Sequence, residues 1–216
     1  MANKTYPLTV AGVTRDLPIL KLSDTLSIAG FIMLGDVELT LACARELAKR
    51  IPPETEAILT AETKGIPLAA ALAEIAGFPR YFVARKSIKA YMENVLWTKD
   101  ISITTHGVQK LCLDGVDAAR IKGRKVLLLD DVISTGGSMK ALRILAEEAG
   151  AKVIGEACAL AEGDAAKRDD IIFLSPLPLV ANAESWLKRE RATRKRLYHS
   201  YRRASIGSSL AAFLAG

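Results

Sequence analysis

The chain is poor in the residues that organise metal centres and disulfide frameworks, with three cysteines and two histidines in 216 residues. Cys43, Cys112 and Cys158 are widely separated, odd in number and set among apolar neighbours. That spacing argues against a zinc site or a disulfide scaffold, and predicts buried thiols in a reducing compartment, the cytoplasm. His106 falls in a predicted turn and His199 in a basic run, and neither belongs to a ligand pattern. No uninterrupted apolar run reaches 18 residues, so no membrane partner is expected. The opening MANKTYPLTV lacks the basic-then-apolar order of a secretory signal. Repeats and low-complexity tracts are missing, and so are GxxxxGK[ST] and GxGxxG, which argues against a Walker A loop and a dinucleotide-binding loop. Most of the chain also lacks surplus positive charge. Residues 188–203 hold eight Lys/Arg against one Glu, which leaves the remainder at −1 although the whole chain is at +6. The high pI therefore belongs to a tail and does not make the body a nucleic-acid binder.

What the sequence does have is apolar residues, half of the total, arranged as short runs alternating with amphipathic stretches. Residues 36–51 place Val37, Leu41, Ala44, Leu47, Ala48 and Ile51 at helical intervals, with Asp36 as N-cap and Pro52-Pro53 as a stop. Ala57–Thr60 reads as a buried strand, 61–65 as a polar turn, and Ile66–Ala76 as a helix closed by Gly77. Strands follow at 81–84, 126–129, 153–160 and 171–174, with a helix over 137–149. Continuously apolar strands alternating with helices predict an α/β protein with a parallel β-sheet covered on both faces. Ligands of such sheets sit at the carboxyl ends of the strands, which singles out 60–65, 85 onward and 130–138. Residues 86–113 interrupt the alternation and read as a mobile loop followed by a β-hairpin, with arms 101–105 and 108–113 around His106-Gly107. That segment is either a lid or an ordinary surface excursion.

The densest chemistry lies in VLLLDDVISTGGS, residues 126–138. Asp130 and Asp131 end an apolar strand, where unpaired charge is costly to bury, so they should face a cleft. Ionised carboxylates are pure acceptors and suit the paired hydroxyls of a ribose. Ser134, Thr135, Gly136, Gly137 and Ser138 then open a helix. Two glycines allow a tight turn, the backbone N–H groups and hydroxyls converge, and the helix N-terminus adds partial positive charge. This is a phosphate cradle without a lysine.

LLLDDVISTGGS resembles the signature of the type I phosphoribosyltransferases, which use 5-phosphoribosyl-1-pyrophosphate (PRPP). The stretch 60–67, TAETKGIP, resembles the pyrophosphate loop of that family and the corresponding segment of the purine operon repressor, a regulator of the same fold. VARKS, residues 83–87, resembles the Arg-Lys pair of adenine and xanthine phosphoribosyltransferases. The resemblance covers about residues 25–180. It implies the type I phosphoribosyltransferase fold with a small hood and a β-hairpin lid, divided as an N-terminal segment or hood (1–35), a core (36–178) and a basic C-terminal extension (179–216). It implies transfer of the phosphoribosyl group of PRPP to a purine base, adenine first, in purine salvage. The alternatives are a xanthine or 6-oxopurine enzyme, because ARKSIKAYMENVL departs from the adenine pattern, or a PRPP sensor that binds nucleic acid.

On this resemblance, PRPP would be held by Glu62, Thr63, Lys64, Arg85, Lys86, Lys89, Asp130, Asp131 and the loop Ser134–Ser138. Asp130 and Asp131 would flank a cationic ribose in the transition state. Glu93 would accept a proton from the base or orient it, or else is a solvated loop residue. Val132 and Ile133 would form a wall for the base. Mg²⁺ is the expected cofactor, carried mainly by PRPP, and a homodimer the expected assembly. Residues 188–203 read either as the basic face of a terminal helix packed on the body or a second subunit, or as a contact for RNA or DNA, or as a segment drawn to a membrane surface or a disordered end.

Overall fold

The computed structural model describes residues 5–21, 23, 26–100 and 109–181. The N-terminal segment, for which the sequence suggested no elements, forms three strands: β1 (Thr5–Val10), β2 (Val13–Lys21) and β3 (Leu26–Ala29). β1 and β2 pair antiparallel with Val10 opposite Val13. The two residues between them, Ala11 (φ 51°) and Gly12 (φ 79°), both lie in the left-handed region, the backbone that a twisted two-residue hairpin requires. Leu8 and Val10 are buried while Thr9 between them is exposed, the period-2 pattern of a one-sided sheet.

Helix α1 (Val37–Ala48) begins as its sequence predicts, with the Asp36 side chain accepting from Leu39 N–H at 3.1 Å. Arg15 of β2 forks onto Asp36 at 2.7 and 3.0 Å and reaches Glu38 at 2.7 Å. The guanidinium therefore ties the hairpin to the start of α1 and holds the Asp36 carboxyl below its usual range, through that hydrogen bond first.

β4 (Ala57–Ala61), α2 (Ile66–Ile75) and β5 (Phe82–Ala84) follow. A separate two-stranded hairpin, β6 (Leu96–Asp100) and β7 (Gln109–Leu113), pairs Leu96 with Leu113. Its described first arm is 96–100; the expected arm 101–105 and the turn at His106-Gly107 lie outside the described residues. A short helix that the sequence reading missed, α3 (Gly115–Ile121), comes next, capped by Asp114. β8 (Lys125–Ile133), α4 (Gly137–Glu148), β9 (Lys152–Glu162), a 3₁₀ turn (Gly163–Lys167) and β10 (Ile172–Leu177) complete the alternation. β11 (Leu179–Ala181) leaves the core to pair with β3. The boundary expected at 178/179 therefore falls beside a strand that belongs to the N-terminal sheet, and the basic segment 188–203 lies outside the described residues.

The central sheet has the order β10-β9-β8-β4-β5, and all its neighbours are parallel. A second sheet has the order β1-β2-β3-β11. The apolar run of β8 serves two cores: Leu127 and Leu129 pack with α1, α2 and the N-terminal hairpin, while Val126 and Leu128 pack with α4, α3 and Leu111. Alternation over a continuously apolar strand is what a sheet covered on both faces requires.

Candidate active site

β8 and β4 are adjacent and parallel, so their carboxyl ends deliver two loops to one edge. A cleft of about 570 Å³ opens there, within the range typical of small-molecule sites. Its floor is the continuous stretch 130–139, one side is Ala61–Lys64, and the roof is Leu20 with Ile28–Ile32 from the N-terminal sheet. Ten of the predicted residues line it together: Glu62, Thr63, Lys64, Lys86, Asp130, Asp131, Ser134, Thr135, Gly136 and Gly137. Ser138, Val132 and Ile133 line it as well, which makes thirteen of the sixteen predicted residues. Arg85, Lys89 and Glu93 are not among the lining residues.

β8 runs through both acids before it ends. Asp130 Oδ1 accepts from the Asp131 N–H at 2.8 Å, and Asp131 is almost sealed from solvent, with its Oδ2 lacking a hydrogen-bond partner. Lys64 Nζ stands 3.4 Å from that oxygen. Burial, and next the neighbouring Asp131 charge, raise the Asp130 carboxyl well above its usual range. An unsatisfied buried carboxylate oxygen is costly in the free protein, and a donor-rich ligand is the kind of group that can pair it. Among the described residues no three His, Cys, Asp or Glu side chains converge as a metal cage. The two aspartates fit one or two positions of a hard cation whose other ligands are water and phosphate oxygens.

The loop opposite is held against β8 by Gly65. A Cβ there would overlap the Thr60 hydroxyl and come within 3.0 Å of Asp130 Oδ1. Gly65 thus lets the start of α2 approach the acid pair. Glu62 braces the same loop from the other side. Its backbone N–H donates to Ala84 O at 2.8 Å, and its carboxylate accepts from Lys86 N–H at 2.8 Å and faces Arg85 at 3.3 Å. The Lys86 amide first, then Arg85, lower the Glu62 carboxyl below its usual range. The acid that the sequence assigned to ligand binding therefore already spans two strand-end loops.

The loop 134–138 turns directly into a helix, as its sequence predicts. Gly136 lies in the left-handed region (φ 79°) as the N-cap of the 12-residue α4, and Ser134 and Thr135 are exposed at its mouth. The excursion is arranged differently. Lys89 Nζ donates to Ser87 at 2.6 Å, and Arg85 Nη1 to the Tyr91 hydroxyl at 3.2 Å. Glu93 is pinned by its backbone: its N–H donates to Asp114 at 3.2 Å and its carbonyl accepts from Gly115 N–H at 2.9 Å. Gly115 is needed at that contact, since a Cβ there would come within 2.5 Å of the Glu93 carbonyl oxygen.

Two parts of the cleft were missed from sequence. Glu162, at the end of β9 opposite Leu177 of β10, lines it, and nothing local distinguishes it from a surface Glu. The apolar roof 28–32 comes from the unpredicted N-terminal sheet.

A parallel α/β sheet with an acid pair and a glycine-rich, helix-opening loop at its carboxyl edge defines a class of proteins that handle phosphorylated small molecules. The comparisons narrow the class. A family model described as a phosphoribosyl transferase domain matches residues 38–186, and the chain belongs to that family. It is 33% identical over 137 residues to a hypoxanthine/guanine phosphoribosyltransferase of Methanococcus voltae, covering 63% of this chain and 69% of that protein. A match to an orotate phosphoribosyltransferase of a Nocardioides species is 30% identical over 161 residues and covers 74% of this chain and 79% of that protein. Among solved structures, an adenine phosphoribosyltransferase of Thermoanaerobacter pseudethanolicus shares the fold with a TM-score of 0.57 at 20% identity, over 81% of this chain and 95% of that one. The archaeal relatives are matched over 56% to 69% of their length. No helix among the described residues is long and apolar enough to cross a membrane.

Proposed function

We propose that the protein is a purine phosphoribosyltransferase, transferring the phosphoribosyl group of PRPP to a purine base, adenine foremost, in purine salvage. The observation that carries this reading is the convergence, in one cleft, of the acid pair Asp130/Asp131 with the loops 62–64 and 134–138. Ribose hydroxyls would donate to the aspartates, the 5′-phosphate would sit in the loop Ser134–Ser138, and the pyrophosphate would lie along Glu62–Lys64 and Lys86. In the reaction the C1–oxygen bond to pyrophosphate breaks and a C1–nitrogen bond to the base forms. The developing cation on the ribose is stabilised by the carboxylates beside it. Mg²⁺, entering with PRPP, would neutralise charge on the leaving pyrophosphate. Lys64, 3.4 Å from Asp131 in the free protein, would turn to the pyrophosphate as the ligand takes over the aspartate.

The base would lie between Val132/Ile133 and the apolar roof 28–32. Glu162 is the acidic side chain on this cleft that is neither in the acid pair nor braced across the loops, and it supplies an acceptor for an N–H of the base or for the proton the base loses. Glu93 would reach the base only by movement of the excursion. A homodimer belongs to the same proposal, with 188–203 either packed on the body or a second subunit or in contact with nucleic acid.

Sequence relatives named for hypoxanthine and guanine favour a second reading, a 6-oxopurine enzyme. An assay with Mg²⁺, PRPP and each of adenine, hypoxanthine, guanine, xanthine and orotate tests both. Adenine turned over fastest supports the first reading, a 6-oxopurine the second, and orotate alone overturns the purine assignment. Binding of PRPP with no base consumed would leave the sensor reading in place of the enzyme.

A further inference from the structure

The phosphate loop carries no cation of its own, since Ser134–Ser138 contains neither Lys nor Arg. The fold brings one to it from 30 residues further along the chain. Arg168, after the 3₁₀ turn that follows β9, has its guanidinium held on one edge. Nε and Nη2 donate to the two Asp170 oxygens at 2.8 and 2.7 Å, and Nη2 also donates to Glu156 at 3.1 Å. Glu156 is a buried carboxylate of β9, and it also accepts from Arg143 of α4 at 2.8 Å. Three bonds through Nε and Nη2 fix the plane of the guanidinium and leave Nη1 with no protein partner among the described residues. That edge stands 3.6 Å from where a Cβ would sit on Gly136, the left-handed residue at the centre of the phosphate loop.

We propose that Arg168 completes the phosphate cradle, with Nη1 donating to the 5′-phosphate that the loop holds; the inference rests on the reading of 134–138 as a 5′-phosphate site. Several features make Arg168 suited to this. Arginine stays charged at every working pH and presents fixed, forked donors to phosphate oxygens. Its carboxylate partners occupy Nε and Nη2, so a ligand at Nη1 breaks none of its existing bonds. Arg143, Glu156, Arg168 and Asp170 together are neutral, so the contribution is directed donors with no excess of local charge. The same clamp joins α4, β9 and the 3₁₀ turn, which keeps the donor in place before the ligand arrives and lowers the cost of binding.

The test is calorimetric titration of ribose 5-phosphate and of pyrophosphate into the full chain and its variants. Arg168→Met should weaken ribose 5-phosphate on the order of tenfold or more, the scale of a lost charged hydrogen bond, and leave pyrophosphate affinity unchanged. Arg168→Lys should restore part of the loss. Asp170→Asn separates contact from bracing, because it removes the pin but keeps the guanidinium, and should retain most of the ribose 5-phosphate affinity. Unchanged ribose 5-phosphate affinity in Arg168→Met, or an equal loss in Asp170→Asn, would overturn the proposal. Failure of the wild-type chain to bind ribose 5-phosphate would instead refute the underlying site.

Discussion

The floor of the cleft and the excursion beside it are built on different principles. The floor is made of strand ends in a parallel sheet: β4 and β8 lie in register, Thr60 beside Leu129, so the loops after them have to meet. The excursion from Lys86 to Asp100 is held by short-range contacts, Lys89 to Ser87 and Arg85 to Tyr91, and by the Glu93 backbone on Asp114 and Gly115 before α3. In the floor, the buried Asp131 Oδ2 has no hydrogen-bond partner and lines the cavity; beside it, the Lys89 and Arg85 head groups donate to Ser87 and Tyr91. On the proposed reading, a residue on the floor has its ligand-binding geometry before the ligand comes, and a residue on the excursion would acquire one only by giving up existing partners.

The largest expected effect lies on the floor. Replacing Asp130 and Asp131 together with asparagine should lower PRPP affinity by at least about 100-fold, since two charged hydrogen-bonding groups are worth several kcal/mol; titration checks it. Asp130→Asn alone should stabilise the free protein. A carboxyl raised in the folded state contributes stability that is present below its unfolded pKa and is lost as pH rises through the folded value. Removing it should raise Tm at pH 7–8 by a few degrees, about 2–4 °C per kcal/mol for a chain of this size. The gap should close as the pH falls toward about 4, the unfolded carboxyl range. A lower Tm at neutral pH would show that the acid pair is not strained in the free protein.

Next comes Gly65→Ala, whose methyl has to displace the Thr60 hydroxyl or Asp130. A destabilisation of about 1–3 kcal/mol is expected for such overpacking, read by denaturant unfolding, with PRPP binding weakened in parallel. Glu62→Gln should cost on the order of tenfold in pyrophosphate affinity by loosening the Lys86 amide, with folding stability changed less. The smallest effect is expected on the excursion. Glu93→Gln leaves the backbone bonds of that residue intact, and surface changes of this kind usually shift energies by no more than about 0.5 kcal/mol, so kcat/KM should change by less than about threefold. A loss of 100-fold or more would give the excursion a preformed catalytic role and erase the contrast with the floor.

The same contrast explains what could be read from the sequence. The α1 cap at Asp36, the strands read at 57–60 and 126–129, and the loops at 60–65 and 130–138 are local signals, each contained in a few consecutive residues. The strand after Leu129 was read too short because acidic residues mark strand ends, whereas here β8 continues to Ile133 and turns both acids into the cleft region. The N-terminal hairpin was missed because its turn, Ala11-Gly12, lacks the Asn-Gly or Asp-Gly pair that announces such turns. β11, the cleft position of Glu162 and the approach of Arg168 to Gly136 were illegible for a deeper reason. Each depends on a neighbour far away in the chain, β3 for the strand, Leu177 and the roof for Glu162, Gly136 for Arg168, and a single sequence does not display those pairings. The cysteines were legible: Cys43 and Cys158 are buried, and burial pushes both thiols up to about 12.

The central claim is that one preformed cleft binds the whole of PRPP, and titration of PRPP with Mg²⁺ into the wild-type chain tests it most directly. The account predicts saturable binding of one PRPP per chain, displaced by ribose 5-phosphate and by pyrophosphate, each acting through its own loop. Absence of saturable binding, or displacement by neither fragment, would contradict it.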